Sequence, residues 1–411
     1  MKILIYTYSW FPKIDGVTIR YKNIIDNLKV NNEIHLIVPD LIDSPRVKNY
    51  DGIKITTIQG RSLPNIAKDE NPDVIIPDLR YSNNIYNKLF NYCIDNKIDI
   101  IHIASPDPII SIFQLIRLYT GIPIISIYHT DVLEYLTVSN NSKLIYYFTW
   151  FIHLINTYFL VDCFSTTSLS MISKIKNYGF YLSDRPIWLL PISINTHLFK
   201  PSVPKYISQW HKNKIRLLYV GRITKEKSIN RILEAMDDTM SLVIIGQGGS
   251  IPYLKNISES QNLNVKFIDT VEQSELPIWY SSCDIFIMPS STETLGFVTL
   301  EAMSSGAPVC GFLAGGTLDL IIHEYNGLLF ETKKELQNNI NRLYTDKLLR
   351  NKIINNAIYY TSEKSVEISI SKLYEKYKDI INKYRGNIFN FFMYLFFNSI
   401  IYFIQFLYYL I

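Results

Sequence analysis

Two glutamates, Glu293 and Glu301, stand eight positions apart in "SSTETLGFVTLEAMSSGAPVCG", residues 290–311. "IFIMPS" just before reads as a strand and "GFVTLEAMSS" as a helix. Glu293 therefore falls in the loop at the strand's carboxyl end, and Glu301 about a turn and a half into the helix. A helix start points unsatisfied N–H groups outward, a seat for phosphate or polar sugar oxygens. Carboxylates beside it accept hydrogen bonds from hydroxyls. Alone, such a pair is a surface acid and a capping acid; the context changes its weight. "YVGRITKEKS", 219–228, ends another strand and sets Arg222 and Lys227 in a loop that opens a helix. Two cations there can neutralise a diphosphate and stabilise charge on a departing phosphate. "IIGQGG", 244–249, puts Gly246 in a turn after the next strand, a weak signal alone because any tight left-handed connection uses glycine. Together these groups suit a sugar nucleotide, which has a diol at each end.

The elements that must carry these groups alternate. "KILIYTY", "EIHLIVPD", "IKITTI", "DIIHIAS" and "PIISIYH" read as strands, and their continuous apolar character implies parallel strands covered on both faces. "VTIRYKNIIDNLK" reads as the first crossover helix, with Ile19, Ile24, Ile25 and Leu28 facing inward. "DCFSTT" and "PIWLLPI" close this half, and the Pro-, Ser-, Asn- and Lys-rich stretch 192–214 reads as a linker. Alternation then restarts with "IRLLYVG", helix 228–236, "SLVIIGQG", helix 250–261, "VKFID", helix 273–281, "DIFIMPS", helix 297–305 and "PVCGF". The expected fold class is α/β: two doubly wound Rossmann-like domains, 1–200 and 201–385, facing a cleft.

Totals narrow the partners. A chain of 411 residues, 48% hydrophobic and 19% charged, is a folded protein of two to three domains. The net charge of +4 and the lack of a large basic block argue against a nucleic-acid partner. Cys93, Cys163, Cys283 and Cys310 form no CxxC pair and read as reduced, buried thiols in a cytosolic setting. "MKILIYTYSWF" reads as a buried first strand, not a signal peptide, since no small-residue cleavage site follows. "IFNFFMYLFFNSIIYFIQFLYYLI", 388–411, carries no charge over 24 residues. That is bilayer length, and Lys372, Lys376, Lys378, Lys383 and Arg385 before it would hold the upstream domains on the cytoplasmic side. Residues 386–411 are expected to be a hydrophobic transmembrane anchor. The second apolar run, 144–161, is interrupted by His153, Asn156 and Thr157 and is expected to be a buried or membrane-grazing helix.

"YVGRITKEKS", "SSCDIFIMPSSTETLGFVTLEAMSSGAPVCGFLAGGTLDLI" and "NGLLF", taken in order, resemble the retaining GT-B glycosyltransferases of family four. The resemblance runs from residue 1 to about 384. It is closest in motif to lipid sugar transferases that make sulfoquinovosyl diacylglycerol. It implies that Arg222 and Lys227 hold the donor diphosphate, that Glu301 binds ribose hydroxyls and that Glu293 contacts the transferred sugar. Backbone amides near Leu295, Gly296 and Phe297 would face sugar and phosphate. Gly16 in "FPKIDGVT" matches the N-terminal glycine loop, and His129 in "YHTD" the histidine near the reacting sugar. The pattern departs from the family at Asp15, at Ser193–Thr196 and at Gly248–Gly249.

The implied activity is retaining transfer from a nucleotide-sugar, with UDP the favoured nucleotide, to an acceptor expected to be a membrane lipid. No Asp-x-Asp occurs in the chain, so no metal site is expected and no cofactor is required. No sugar nucleophile stands out either, and the family implies front-face displacement. The alternatives are a transferase with a soluble acceptor and an inactive sugar-nucleotide-binding protein. The membrane run disfavours the first, and the joint presence of Arg222, Lys227, Glu293 and Glu301 disfavours the second.

Overall fold

The structure is a computed structural model. It describes residues 1–12, 16–41, 43, 45, 49–63, 74–104, 109–129, 161–177, 187–202, 209–291, 293 and 295–384. The proposed anchor 386–411, nearly all of the run 144–161 and part of the linker lie outside them. No helix among the described residues is long and apolar enough to cross a membrane.

The chain forms two compact units. In the first, β1 (Lys2–Tyr6), β2 (Glu33–Asp40), β3 (Lys54–Leu63), β4 (Val74–Pro77), β5 (Ile100–Ile103), β6 (Ile124–Tyr128), β7 (Cys163–Thr166) and β8 (Trp188–Leu189) form one sheet. Their order is β4-β3-β2-β1-β5-β6-β7-β8. Every pairing is parallel except β3 with β4, which the sequence reading did not anticipate. Helices α1 (Gly16–Leu28), α2 (Ser82–Asp95), α3 (Ile110–Thr120) and α4 (Leu169–Asn177) alternate with these strands. On α1, Ile24, Ile25 and Leu28 are buried as expected, but Ile19 is half-buried, and Thr18, Arg20 and Tyr21 take inward places instead.

The second unit's sheet runs β11-β10-β9-β12-β13-β14 and is parallel throughout. Its strands are β9 (Ile215–Val220), β10 (Met240–Ile245), β11 (Val265–Ile268), β12 (Ile285–Met288), β13 (Val309–Phe312) and β14 (Leu328–Phe330). Between them run α5 (Asn230–Ala235), α6 (Ile251–Ser260), α7 (Leu276–Ser282), α8 (Phe297–Ser304) and α9 (Thr317–Leu320). After β14 come α10 (Lys333–Thr345), α11 (Lys347–Ser362) and α12 (Val366–Tyr384). Successive strand residues enter opposite faces. Leu217, Tyr219, Leu242, Ile244, Ile285 and Ile287 pack into one core. Leu218, Val220, Val243, Ile245, Phe286 and Met288 pack into the other. Both faces are covered, which is why these strands read as unbroken apolar runs.

The units divide at Pro191/Ile192, with the short piece Ser168–Met171 grouped in the second, and the chain returns to the first unit from Ile370. Residues 370–384 thus pack with the first unit, not with the second domain as the sequence reading had it. The reason is on α12: Leu373, Tyr377 and Ile380 are buried in the first unit's core. All four cysteines are free and buried.

Candidate active site

The second unit gathers its candidate groups at the carboxyl ends of β9, β10 and β12. After β9, Gly221 leads into Arg222 and a 3-10 turn, Lys225–Lys227, which closes on Ser228 in the left-handed region. The Gly221–Thr224 loop lies directly against the glycine turn after β10. The Ile223 amide donates to the Gln247 carbonyl at 2.7 Å, and the Ser250 amide to the Ile223 carbonyl at 2.9 Å. Gly246 has φ +143°, and a Cβ there would sit 2.0 Å from the Gly221 carbonyl oxygen. Only glycine allows the two loops this close. Gly246 therefore shapes the loop that carries Arg222.

Lys227 donates through Nζ to Glu293 Oε1, across 66 residues of sequence, in a pair whose side chains are 14% and 15% exposed. Glu293 is itself clamped by its backbone. The Gly316 amide donates to its carbonyl at 2.6 Å. Gly315 takes φ +57°, and a Cβ there would stand 2.7 Å from the same oxygen. The "AGG" of the sequence motif is thus the piece that fixes Glu293. Arg222 is 55% exposed, and its guanidinium lies 3.6 Å from Glu226.

Helix α8 starts from Gly296, which has φ +75° and no side-chain cap. Leu295 is buried and Phe297 half-buried at this start. Glu301 sits on the same helix, 7% exposed, and bonds a different partner: the Tyr280 hydroxyl donates to its Oε2 at 3.0 Å. Burial pushes the Glu301 carboxyl up to about 7, against the opposing hydrogen bonds from Tyr280 and Gln273. The hydroxyls of Thr299 and Thr317, at the starts of α8 and α9, are buried with no hydrogen-bond partner among the described residues. Buried unpaired hydroxyls beside a helix start are ready to meet a polar ligand.

The other two expected residues lie in the first unit. Gly16 is the exposed first residue of α1. His129 follows β6, is 7% exposed, and its Nε2 lies 3.1 Å from the Tyr21 hydroxyl. Tyr280, the Gly315–Gly316 clamp and Tyr21 were absent from the sequence reading. Of these, only the clamp had a signal, the glycine pair inside a motif already singled out.

Two Rossmann-like sheets, parallel but for one edge strand, with a glycine turn, cations and carboxylates at the strand ends of the second, are the architecture of the GT-B class of glycosyltransferase. The chain belongs to that class: residues 15–198 match Glycosyltransferase Family 4 and residues 205–359 match Glycosyl transferases group 1. Sulfoquinovosyl transferase SQD2 of Arabidopsis thaliana is 28% identical over 330 residues, 78% of this chain and 61% of that protein. The chain thus spans less than two thirds of that relative's length. Alpha-monoglucosyldiacylglycerol synthase of Streptococcus pneumoniae is 25% identical over 335 residues, 75% of this chain and 70% of that one. Among solved structures, sucrose-phosphate synthase from Thermosynechococcus elongatus is alike in fold, with a TM-score of 0.73 at 18% identity over 93% of this chain and 99% of that one.

Proposed function

We propose that this chain is a retaining, metal-independent glycosyltransferase that moves a sugar from a nucleotide-sugar, expected to be a UDP-sugar, to a membrane lipid. One observation carries the donor half of the reading: Lys227 meets Glu293 at the strand ends of the nucleotide-type sheet, beside the start of α8. Arg222 and Lys227 take the diphosphate. Glu301 takes the ribose hydroxyls, and Glu293 a hydroxyl of the transferred sugar. Amides at Leu295, Gly296 and Phe297 face sugar and phosphate, with Gly246 shaping the adjoining loop. The family resemblance adds Gly16 and His129, which lie in the first unit.

In front-face displacement the anomeric carbon–phosphate bond breaks while the acceptor oxygen bonds the same face. The acceptor's proton passes to the departing phosphate oxygen, so the nucleoside diphosphate leaves carrying it. Two guanidinium or ammonium cations can stabilise the developing charge where other transferases use a metal. The lipid acceptor draws support from the relative named for diacylglycerol glycosylation. It also draws on the uncharged run 388–411, read as an anchor that keeps the catalytic units cytosolic.

The test is a transfer assay on the full chain. Labelled UDP- and GDP-sugars are offered with vesicles containing diacylglycerol or phosphatidylinositol, and separately with soluble sugar acceptors. Transfer to vesicle lipid with retained anomeric configuration, reduced in Glu293→Gln, supports the reading. Transfer only to soluble acceptors replaces the lipid half of it. Donor binding without hydrolysis or transfer would mark an inactive binding protein.

A further inference from the structure

The first unit holds a row of buried polar side chains that the donor site does not use. Tyr21 on α1, His102 on β5, His129 after β6 and Tyr377 on α12 are all buried. The Tyr377 hydroxyl oxygen lies 2.5 Å from His102 Nδ1. His102 Nε2 lies 2.7 Å from the Tyr21 hydroxyl, and that same oxygen lies 3.1 Å from His129 Nε2. Neighbouring rings meet edge-on, at 85°, 89° and 79° along the row.

Burial favours the neutral form of both histidines. Burial, helped by the positive charge of buried Arg20, pushes His102 down to about 3 and His129 well below its ordinary value. Each of the four groups then brings one proton. The chain can run forward: Tyr377 donates to His102 Nδ1, His102 Nε2–H donates to Tyr21, and Tyr21 donates to His129 Nε2. The last proton then sits on His129 Nδ1, on a ring that retains 7% exposure. Each alternative strands a buried hydroxyl proton. Reversing all three bonds strands that of Tyr377, whose ring is fully buried and whose hydroxyl has no second partner among the described residues. Having both histidines donate strands that of Tyr21. An unmet buried donor loses its water without recompense, so the forward direction wins.

We propose that Tyr377, His102 and Tyr21 are positioning residues that hold His129 in its Nδ1–H form, so that its remaining nitrogen offers a hydrogen-bond donor, not a base, to a ligand oxygen. That the oxygen belongs to the sugar or phosphate of the donor rests on the transferase reading above. The tautomer does not. The hydrogen-bond chain also ties α12 to this histidine, so a change at Tyr377 is expected to be felt at residue 129.

The experiment uses the full chain labelled with ¹⁵N-histidine and no nucleotide, so its result is independent of any transferase activity. Long-range ¹H–¹⁵N correlation separates a protonated ring nitrogen from one with a lone pair. The His129 signals are identified by their loss in His129→Gln. In the wild type, His129 is expected to show a protonated Nδ1 and a lone-pair Nε2. Tyr21→Phe and Tyr377→Phe are each expected to shift His129 toward the Nε2–H form or a mixture, with His35 unmoved as an internal check on folding. A wild-type His129 protonated on Nε2 overturns the proposal, whatever the variants do. A wild-type Nδ1–H form that survives both folded variants also overturns it, because the chain would not be its cause.

Discussion

Glu301→Gln is expected to make the protein more stable and worse at holding its donor, with both effects depending on pH. Burial raises this carboxyl from 4.5 to about 7. In the unfolded chain it loses its proton near 4.5; in the folded chain it keeps that proton until about 7. The stability supplied by the neutral form is therefore fully present below 4.5, declines as pH rises through this window, and is gone above 7. The gap corresponds to roughly 3 kcal/mol at most. Glutamine does not titrate, and its carbonyl oxygen can still accept from Tyr280. The variant should match the wild type near pH 4.5 and exceed it at pH 8 by up to about 3 kcal/mol, at roughly 2–4 °C of Tm per kcal/mol. Donor binding moves the other way. A ribose diol donates best to the ionised carboxylate, and losing a charge-assisted hydrogen bond costs on the order of 1.5–3 kcal/mol. Wild-type affinity should rise as pH rises through about 7, while the variant binds weakly and without that slope. Calorimetric unfolding at pH 5 and pH 8, paired with donor titrations, checks both. A variant less stable than the wild type at pH 8, or a stability difference that is the same at both pH values, refutes the reasoning.

Gly246→Ala should lower stability by on the order of 3 kcal/mol, since its Cβ would fall 2.0 Å from the Gly221 carbonyl at φ +143°; thermal unfolding reads it. Transfer should persist fully in excess EDTA if Arg222 and Lys227 supply the positive charge as proposed; loss that magnesium or manganese restores would count against this. Truncation after Arg385 should release the protein from membranes in carbonate extraction and cut transfer to vesicles while leaving donor hydrolysis nearly intact. If hydrolysis is lost too, residues 386–411 belong to the fold. Glu293→Gln should lower turnover while tightening binding of UDP alone by roughly tenfold, measured by calorimetry.

What the sequence showed was whatever lies close along it. β9, β10 and β12 are unbroken apolar runs because both faces of their sheet are covered, so their ends, and Arg222, Gly246 and Glu293 beyond them, could be located directly. Partnerships between distant residues left no such trace. Lys227 and Glu293 are 66 residues apart, Tyr280 and Glu301 are 21, and His102 and Tyr377 are 275. A lone tyrosine in "LPIWYSS" reads as core, and Tyr280 is core in every respect except the direction of its hydroxyl. The antiparallel β4 was missed because an edge strand of four residues carries too short a pattern to read. Residues 370–384 were grouped with the second domain because they follow it along the chain, and nothing local to Leu373, Tyr377 and Ile380 says which core they enter.

The ion pair between Lys227 and Glu293 is the reason for expecting Glu293→Gln to separate binding from turnover. Both groups are assigned to the donor, yet here each neutralises the other at about one-seventh exposure. A partly buried pair of this kind cannot lose one member without leaving a charge poorly solvated. In the proposed donor site an arriving diphosphate would provide the replacement, because it brings more negative charge to Lys227 than one carboxylate does. Glu293 would then be released from the lysine, with its carbonyl still accepting from the Gly316 amide. A carboxylate freed at a fixed position is suited to accept from a sugar hydroxyl. In the proposed site, phosphate binding would thus prepare the sugar contact. In Glu293→Gln the lysine has no competing charge, so UDP, which has no sugar to place, binds more tightly. The full nucleotide-sugar gains the same advantage but loses the charged contact to its sugar, and turnover falls. Equal weakening of UDP and of the nucleotide-sugar would mean that Glu293 supports the phosphate site and takes no part in an exchange.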